Sequence, residues 1–229
     1  MTIEQDFFAK KRPDFHKLTQ YGFKHENNHY HLQRKFSHND FSFTLDITPP
    51  NSIKGRVIDN ATNEEYLPLR TTHCGSFASK VKKAYLDCLG EIADHCFITK
   101  PFYSDQANRL AEKIASKFGD QPDFVFKRFP DYAVFREPES RKWYALIMRI
   151  PRTRLADKNS SSSNPKIEVV DLRIDPVDRA KLLQKPGIYP GYHLNKQNWL
   201  TLTLDDTLPD KLIVRLLTTS RASLISLSQ

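Results

Sequence analysis

Alternating apolar and polar residues dominate the first half of the chain. Four apolar residues fall on one face at a period of two and predict an amphipathic strand: Phe41, Phe43, Leu45 and Ile47. The polar clusters ENNH and SHND interrupt the alternation and predict turns. From Phe77 the apolar spacing becomes helical. The first half therefore predicts short helices, an antiparallel meander and a long helix.

The second half begins with a helix whose start and end are both marked. Ser104 is placed as its N-cap, and Gly119 lies just past its last apolar residue. Strands are then predicted in DFVFKRF, YAVFRE, KWYALIMRI, IEVVDLRI and WLTLTL, with a last helix after LPD. Pro101 marks the boundary. We expect an α+β protein of two small domains, residues 1–99 and 100–229, each an antiparallel sheet flanked by helices.

Positive charge is concentrated in the second half. Residues 1–99 contain 13 Lys and Arg against 12 Asp and Glu, and residues 100–229 contain 22 against 15. Of the net charge of +8, the second half therefore carries all but one unit. A positive field of this kind favours polyanions, with nucleic acid ahead of anionic lipid.

Signals for secretion or membrane insertion are missing from the sequence. No apolar run approaches the ~18 residues that span a bilayer, and MTIEQDFF lacks the apolar core of a signal peptide. The three cysteines, Cys74, Cys88 and Cys96, are an odd number, which argues against a disulfide framework. We expect a cytoplasmic protein without a membrane partner.

Sequence signatures of catalysis and metal binding are also missing. The chain has only 7 glycines and neither a Gly-rich phosphate loop nor a nucleophile elbow. A triad of His193 with Asp205 or Asp206 has no support in the spacing. His29 and His31 alternate onto one strand face, but no Cys-x-x-Cys pair accompanies them. The sequence predicts a protein that is not an enzyme and has no cofactor or metal.

Two polar segments of the second half carry the candidate nucleic-acid contacts. The loop PRTRLADKNSSSSNPK is long, basic and Ser-rich between apolar strands, which is typical of a hairpin tip that follows a phosphate backbone. The segment GYHLNKQNW gathers hydrogen-bonding side chains immediately before a strand. The candidate binding residues are Arg152, Arg154, Lys158, Lys166, Arg141, Lys142, Tyr192, His193, Asn195 and Lys196.

Within the second segment we expect the roles to divide. Lys196 has the reach for a phosphate contact, and Tyr192 and His193 are hydrogen-bond donors beside it. Asn195 is equally explained by a side-chain bond that fixes the loop, and Trp199 by packing in the core.

Four segments in order carry a resemblance to a known family: RFPDYAVFRE, KWYALIM, KPGIYPGYHLNKQNW and LPDKLIVRLLTTS. The combination resembles the MmcQ/YjbR family over about residues 100–226. Residues 1–99 resemble the N-terminal extension of some members. The chain departs from the family pattern at Asn198, where histidine is usual, and at Arg221, where tyrosine is more usual.

The resemblance implies an α+β fold for the second half, YjbR/CyaY-like and related to the secretion-chaperone-like folds. It also implies a double-wing DNA-binding module without catalytic activity, and hence a weakly sequence-specific DNA partner. One alternative is a protein-interaction or chaperone-like module whose protein partner contacts the aromatic first half. Another is a small-ligand pocket around His193 and Trp199.

Overall fold

The computed structural model describes residues 2–71, 75–155 and 165–225. The chain divides into two compact units, Met1–Lys100 and Pro101–Gln229, whereas the sequence prediction placed the change one residue earlier. Each unit combines helices with an antiparallel sheet. The fold class is therefore α+β, as the sequence predicts.

The N-terminal unit is built on a five-stranded antiparallel meander. Its elements are α1 (Ile3–Phe7), β1 (Lys11–Pro13), α2 (Phe15–Tyr21), β2 (Lys24–Glu26), β3 (His29–Phe36), β4 (Phe41–Thr48), β5 (Ser52–Asp59), β6 (Glu64–Glu65), α3 (Ser76–Cys96) and β7 (Phe97–Thr99). The sheet order is β2-β3-β4-β5-β6, and β1 pairs separately with β7. The four alternating apolar residues of β4 are all buried, which confirms the predicted face.

The C-terminal unit holds the candidate interface. Its elements are α4 (Asp105–Phe118), β8 (Ala133–Arg136), β9 (Trp143–Pro151), β10 (Lys166–Arg173), α5 (Pro176–Leu182), β11 (Ile188–Pro190), β12 (Trp199–Thr203) and α6 (Asp210–Ile225). The strands form an antiparallel sheet in the order β11-β12-β10-β9-β8. Across the described parts of both units, no helix combines the length and apolarity needed to cross a membrane.

The two faces of this sheet are covered by different kinds of structure. On the helix-covered face, buried strand residues pack beneath α4 and α6: Phe135, Ala145, Ile147, Val170, Leu172, Leu200 and Leu202. On the loop-covered face, a second buried cluster contains Val134, Leu146, Met148, Ile150, Ile167 and Val169. Two covering segments, 120–132 and 189–196, pack partly buried aromatic rings against that second cluster. Because loops cover this face, polar and aromatic side chains remain accessible on it.

Capping and a buried amide fix α4 in place. The Ser104 hydroxyl accepts a hydrogen bond from the Ala107 amide at 3.1 Å, and Gly119 ends the helix with φ +76°. Both caps confirm the sequence prediction. Gln106, almost fully buried, donates to the carbonyl of Leu208 at 2.7 Å and so joins α4 to the start of α6.

The strand predicted in DFVFKRF is wrong. Residues 123–129 form a single bridge at Asp123 and then turn, with Phe129 N–H donating to the Phe126 carbonyl at 3.0 Å. Prolines flank the run at positions 122 and 130, and only Phe126 packs inward while the other apolar side chains are exposed. The two prolines offer no amide hydrogen, and the turn at Phe126–Phe129 carries the chain away from β8 after one bridge, so no ladder forms.

A buried ionic network joins the parts of the N-terminal unit. Glu4 of α1 is fully buried and accepts hydrogen bonds from Arg70 at 2.8 Å and from the Tyr85 hydroxyl at 2.8 Å. Arg70 also donates to the Gly55 carbonyl at 2.6 Å. A Cβ on Gly55 would lie 2.3 Å from the Tyr85 oxygen, so only glycine fits beside the network. Burial raises the pKa of Glu4, but the hydrogen bonds from Arg70 and Tyr85 outweigh burial and hold it below its ordinary value.

Replacing Glu4 with alanine is expected to destabilise the N-terminal unit by about 3 kcal/mol, because Arg70 and Tyr85 lose a buried partner. Calorimetric unfolding at neutral pH measures the change. Glu64→Ala, which removes an exposed carboxylate of the same unit, is the control and should cost well under about 1 kcal/mol. Equal effects of the two variants would contradict the role given to Glu4.

Candidate nucleic-acid interface

The β9–β10 hairpin presents the predicted basic tip. Lys166 lies opposite Pro151 in the register, and the Arg152 amide donates to the Pro165 carbonyl at 3.0 Å. A short 3-10 turn, Arg152–Arg154, follows β9 directly. Lys158 lies outside the described residues. The base of the predicted tip is therefore a closed hairpin with Arg152 and Arg154 at its edge.

Arg154 and Lys196 meet in one groove, although they belong to different segments. This loop-side groove has a volume of about 290 Å3 and is lined by Arg154, Leu155, Tyr189, Pro190, Gly191, Tyr192 and Lys196. Both cationic side chains are exposed, and neither forms an ion pair with any residue that the structure describes. The structure thus brings the two predicted contact segments together on the loop-covered face.

Tyr192 lines this groove, and His193, the next residue, is not among its lining residues. Their rings are 4.0 Å apart between centroids, with the imidazole exposed and the phenol half-buried. Tyr192 packs against the apolar cluster of the loop-covered face. Of the two, His193 is the side chain placed to meet a ligand from solvent.

Asn195 serves the backbone of the loop. Its side-chain oxygen accepts the Gln197 amide at 2.8 Å, and its carbonyl accepts the amides of Asn198 and Trp199. Trp199 is buried, with the Arg173 guanidinium 5.5 Å from its ring centroid. Both placements agree with the structural roles expected for Asn195 and Trp199, which leaves Lys196 exposed at the apex of the turn.

Two glycines allow the segment before Lys196 to fold back on the sheet. Gly187 has φ +83°, a left-handed conformation that side chains rarely adopt. At Gly191 an added Cβ would lie 3.0 Å from the Trp199 Cβ, so a side chain there would push the loop away from β12. The pair of glycines in GIYPGY therefore sets the groove wall.

A buried carboxylate anchors the same loop from below. Asp171, fully buried on β10, accepts a hydrogen bond from the Thr201 hydroxyl at 2.5 Å, and the Tyr192 amide donates to that hydroxyl at 2.9 Å. Its Oδ2 atom has no partner at hydrogen-bond geometry among the described residues. Burial raises the pKa of Asp171 to about 6, and the hydrogen bond from Thr201, with the nearby backbone amides of Tyr192 and His193, opposes that rise. The sequence signal was an acid inside the apolar strand IEVVDLRI.

A second groove lies on the other side of the hairpin tip. This helix-side groove, about 350 Å3, is lined by Tyr103, Ser104, Arg149, Arg152, Pro165, Lys166, Ile167, Glu168, Leu204 and Asp205. Arg149 stacks over the Tyr103 ring at 3.8 Å, and Arg152 donates to Asp205 at 3.2 Å. Arg149, which the candidate set omitted, joins the predicted Arg152 and Lys166 here.

Arg141 and Lys142 are not brought to either groove. They lie in the β8–β9 turn, before Trp143, at the opposite end of β9 from Arg152. A nine-residue strand separates the two ends by roughly 25 Å. Arg141 adopts φ 58° in the turn, so the alternation of a regular strand does not set its direction.

A third basic pocket lies between α5 and α6. Its volume is about 360 Å3, and it is lined by Arg173, Ile174, Asp175, Asp178, Lys181, Leu182, Lys185, Arg215, Leu216 and Thr219. Two carboxylates therefore share this pocket with four cations. The candidate set contained none of these residues. They come from α5, α6 and the end of β10, where the sequence pattern is typical of amphipathic packing.

The histidines of β3 have hydrogen-bonding partners within the sheet. His31 Nδ1 lies 2.7 Å from an Asp46 carboxylate oxygen, and His29 Nδ1 lies 2.9 Å from the Thr48 hydroxyl. Over the described ranges, no group of three metal-ligating side chains is present.

Comparisons with known proteins concern the C-terminal unit. The YjbR family model matches residues 115–222. The uncharacterized protein YyaQ of Bacillus subtilis (strain 168) is 31% identical over 108 residues, which cover 47% of this chain and 88% of that protein.

Two solved structures are also similar to this chain. A crystal structure of a Pseudomonas syringae protein, a Northeast Structural Genomics Consortium target, is 39% identical, with coverage of 49% and 92% of the two chains and a TM-score of 0.44. A crystal structure of a Deinococcus radiodurans protein with the domain DUF419 is 26% identical, with coverage of 54% and 79% and a TM-score of 0.37.

Asp171→Asn is expected to remove a pH-dependent loss of stability. In the wild type the folded carboxyl keeps its proton up to a pKa of about 6, whereas the unfolded one loses it near pH 4. Stability therefore falls as pH rises from about 4 to 6, and the loss persists above pH 6. At pH 7 the variant should be more stable than the wild type by up to about 3 kcal/mol, and near pH 4 the two should be equal.

Urea unfolding followed by tryptophan fluorescence measures this difference, because both tryptophans, Trp143 and Trp199, belong to the C-terminal unit. Asp178→Asn, which removes an exposed carboxylate, is the matched control. If the free energy of unfolding of Asp171→Asn differs from that of the wild type by the same amount at every pH, the assignment of the raised pKa to Asp171 is contradicted.

Proposed function

The chain belongs to the YjbR family through its C-terminal half, and from that premise we propose that this half binds DNA, mainly through the phosphates. The observation that carries the proposal is the loop-side groove, where Arg154 and Lys196 converge beside Tyr189 and Tyr192. Converging cations of this kind match a phosphate backbone, whose contacts dominate the affinity of proteins for DNA.

The absence of carboxylates from its lining favours this groove over the two other basic pockets described in the C-terminal unit. Among the described residues, none of the side chains lining the loop-side groove is an Asp or Glu. The helix-side groove contains Asp205, which pairs with Arg152, and the pocket between α5 and α6 contains Asp175 and Asp178. Uncompensated positive charge attracts a polyanion most strongly, so the loop-side groove is the primary phosphate site.

The hairpin tip extends the contact to the other side. Arg152 and Arg154 belong to one 3-10 turn, yet Arg152 lines the helix-side groove and Arg154 the loop-side groove. Arg149 and Lys166 add positive charge on the helix side. A DNA backbone that passes the described base of the hairpin would therefore meet cations on both sides.

The side chains that face the groove support weak sequence specificity. The Asn195 side-chain oxygen, one of the two groups with which an asparagine reads an adenine edge, already accepts the Gln197 amide. Arg154 and Lys196 suit phosphates, which carry no sequence information. Among the described residues that line the groove there is no Ser, Thr, Cys, Asp or Glu, so we propose binding rather than catalysis.

Protein interaction is the second candidate function, and exposed apolar groups of the N-terminal unit favour it. Leu67 and Phe77 are each more than half exposed. Both lie next to the aromatic contact between Phe41 and Tyr66: Leu67 follows Tyr66 in the chain, and the Phe77 ring centroid lies 6.3 Å from that of Phe41. Exposed apolar groups that lie close together suit a protein partner better than a phosphate backbone. Absence of DNA binding at low salt would leave this candidate in first place.

The double variant Arg154→Ala/Lys196→Ala is expected to weaken DNA binding by about tenfold or more at low salt. Each lost phosphate contact should also reduce the slope of log K against log salt by about one, so the double variant should lower it by about two. Fluorescence anisotropy with a labelled oligonucleotide, titrated between about 50 and 200 mM NaCl, measures both quantities.

The double variant Lys113→Ala/Lys211→Ala is the matched control. It removes the same charge from exposed positions on α4 and α6, which cover the opposite face of the sheet. If both double variants weaken DNA binding equally, the loss comes from net charge alone. That result would contradict the assignment of the phosphate site to the loop-side groove.

A further inference from the structure

Segment 120–132 holds an exposed aromatic ring in a fixed position. Phe129 is 51% exposed, although Phe126 before it and Tyr132 after it pack inward. Its backbone takes part in two consecutive turns: its amide donates to the Phe126 carbonyl at 3.0 Å, and its carbonyl accepts the Tyr132 amide at 2.9 Å. The ring is therefore presented to solvent by a constrained backbone rather than by a loose loop.

One face of the Phe129 ring is supported and the other is not. The ring stacks on Tyr132 with centroids 4.8 Å apart and planes 18° apart. Tyr132 in turn packs against Phe126, which meets Trp143 edge-on at 5.7 Å. No further ring contact to Phe129 occurs within the part of the chain that the structure describes. A flat ring, backed by a second ring and open on its outer side, has the geometry of a stacking platform.

The platform is flanked by positive charge. Lys127 and Arg128 immediately precede Phe129, both are exposed, and neither pairs with a carboxylate among the described residues. An exposed apolar ring beside two unpaired cations favours an anionic ligand that also offers flat apolar faces. Unpaired nucleotides combine both properties, whereas the bases of a duplex are already stacked on one another.

The platform belongs to the same surface as the loop-side groove. Tyr132 and Tyr192 pack against one apolar cluster on the loop-covered face of the sheet. The phosphate site and the platform therefore belong to covering segments on the same face of the sheet, where one bound strand can meet both.

We propose that the DNA bound by this surface is single-stranded, with a base stacked on Phe129 and the phosphates held by Arg154 and Lys196. This inference rests on the proposed DNA binding. It adds that the bound DNA is single-stranded and that Phe129 is the residue that favours the single strand. Stacking on an aromatic side chain is tolerant of base identity, which agrees with weak sequence specificity.

The test compares a labelled oligo(dT) of about 12 nucleotides with a mixed-sequence duplex of the same length. The wild-type chain is expected to bind the single strand more tightly than the duplex. Phe129→Ala should weaken single-strand binding by about tenfold and leave duplex binding unchanged, because stacking on unpaired bases is lost. Phe129→Trp should restore or strengthen it. Since Phe129 is half exposed, thermal unfolding should show that both variants fold.

Phe77→Ala is the matched control, because it removes an exposed phenylalanine of the other unit and should leave both affinities unchanged. A duplex bound as tightly as the single strand, or a Phe129→Ala variant that binds oligo(dT) like the wild type, overturns the single-strand inference while leaving DNA binding in place. Binding of neither oligonucleotide at low salt overturns the proposed function itself, so the two failures are distinguishable.

Discussion

A short chain of hydrogen bonds holds the candidate interface against the sheet. The Tyr192 amide donates to the Thr201 hydroxyl, which donates to the buried carboxylate of Asp171. A buried acid without a counter-ion is costly, and its raised pKa expresses that cost. These hydrogen bonds connect the loop that carries His193 and Lys196 to the centre of the sheet rather than to its edge. Without this anchor, the groove shared with Arg154 would lose one wall.

The same arrangement gives the two faces of the C-terminal sheet different roles. Helices α4 and α6 pack over the core of one face, which stabilises the unit and leaves only the helix-side groove beside the hairpin accessible there. The other face is closed by two polypeptide segments, and each contributes aromatic rings inward and cationic side chains outward. Charge then distinguishes the three basic grooves described in the C-terminal unit, because carboxylates line the helix-side groove and the pocket between α5 and α6 but not the loop-side groove. The distribution of charge and the accessibility of the side chains thus both favour the loop-covered face as the binding surface.

Local signals allowed the sequence to predict much of the fold, but long-range pairing remained beyond it. The caps of α4 were readable because Ser104 and Gly119 act within a few residues of the helix ends. The strand predicted at residues 123–129 failed, because apolar content alone does not show that the chain turns away from β8 after the bridge at Asp123. The hairpin tip and the segment around Lys196 were both recognised as candidate contacts. Their convergence with Arg154 depends on strand order and on the fold-back after Gly187, which no local pattern reveals.

Amide chemical-shift mapping would test the central claim most directly. The full chain, labelled with 15N, would be titrated with oligo(dT) and the perturbed amides assigned. The account predicts that the perturbations concentrate at Phe129, Tyr132, Arg154 and Lys196, with the amides of α4 and α6 nearly unchanged. Perturbations confined to the pocket between α5 and α6, around Arg215, or the absence of any change, would contradict the claim that the loop-covered face binds DNA.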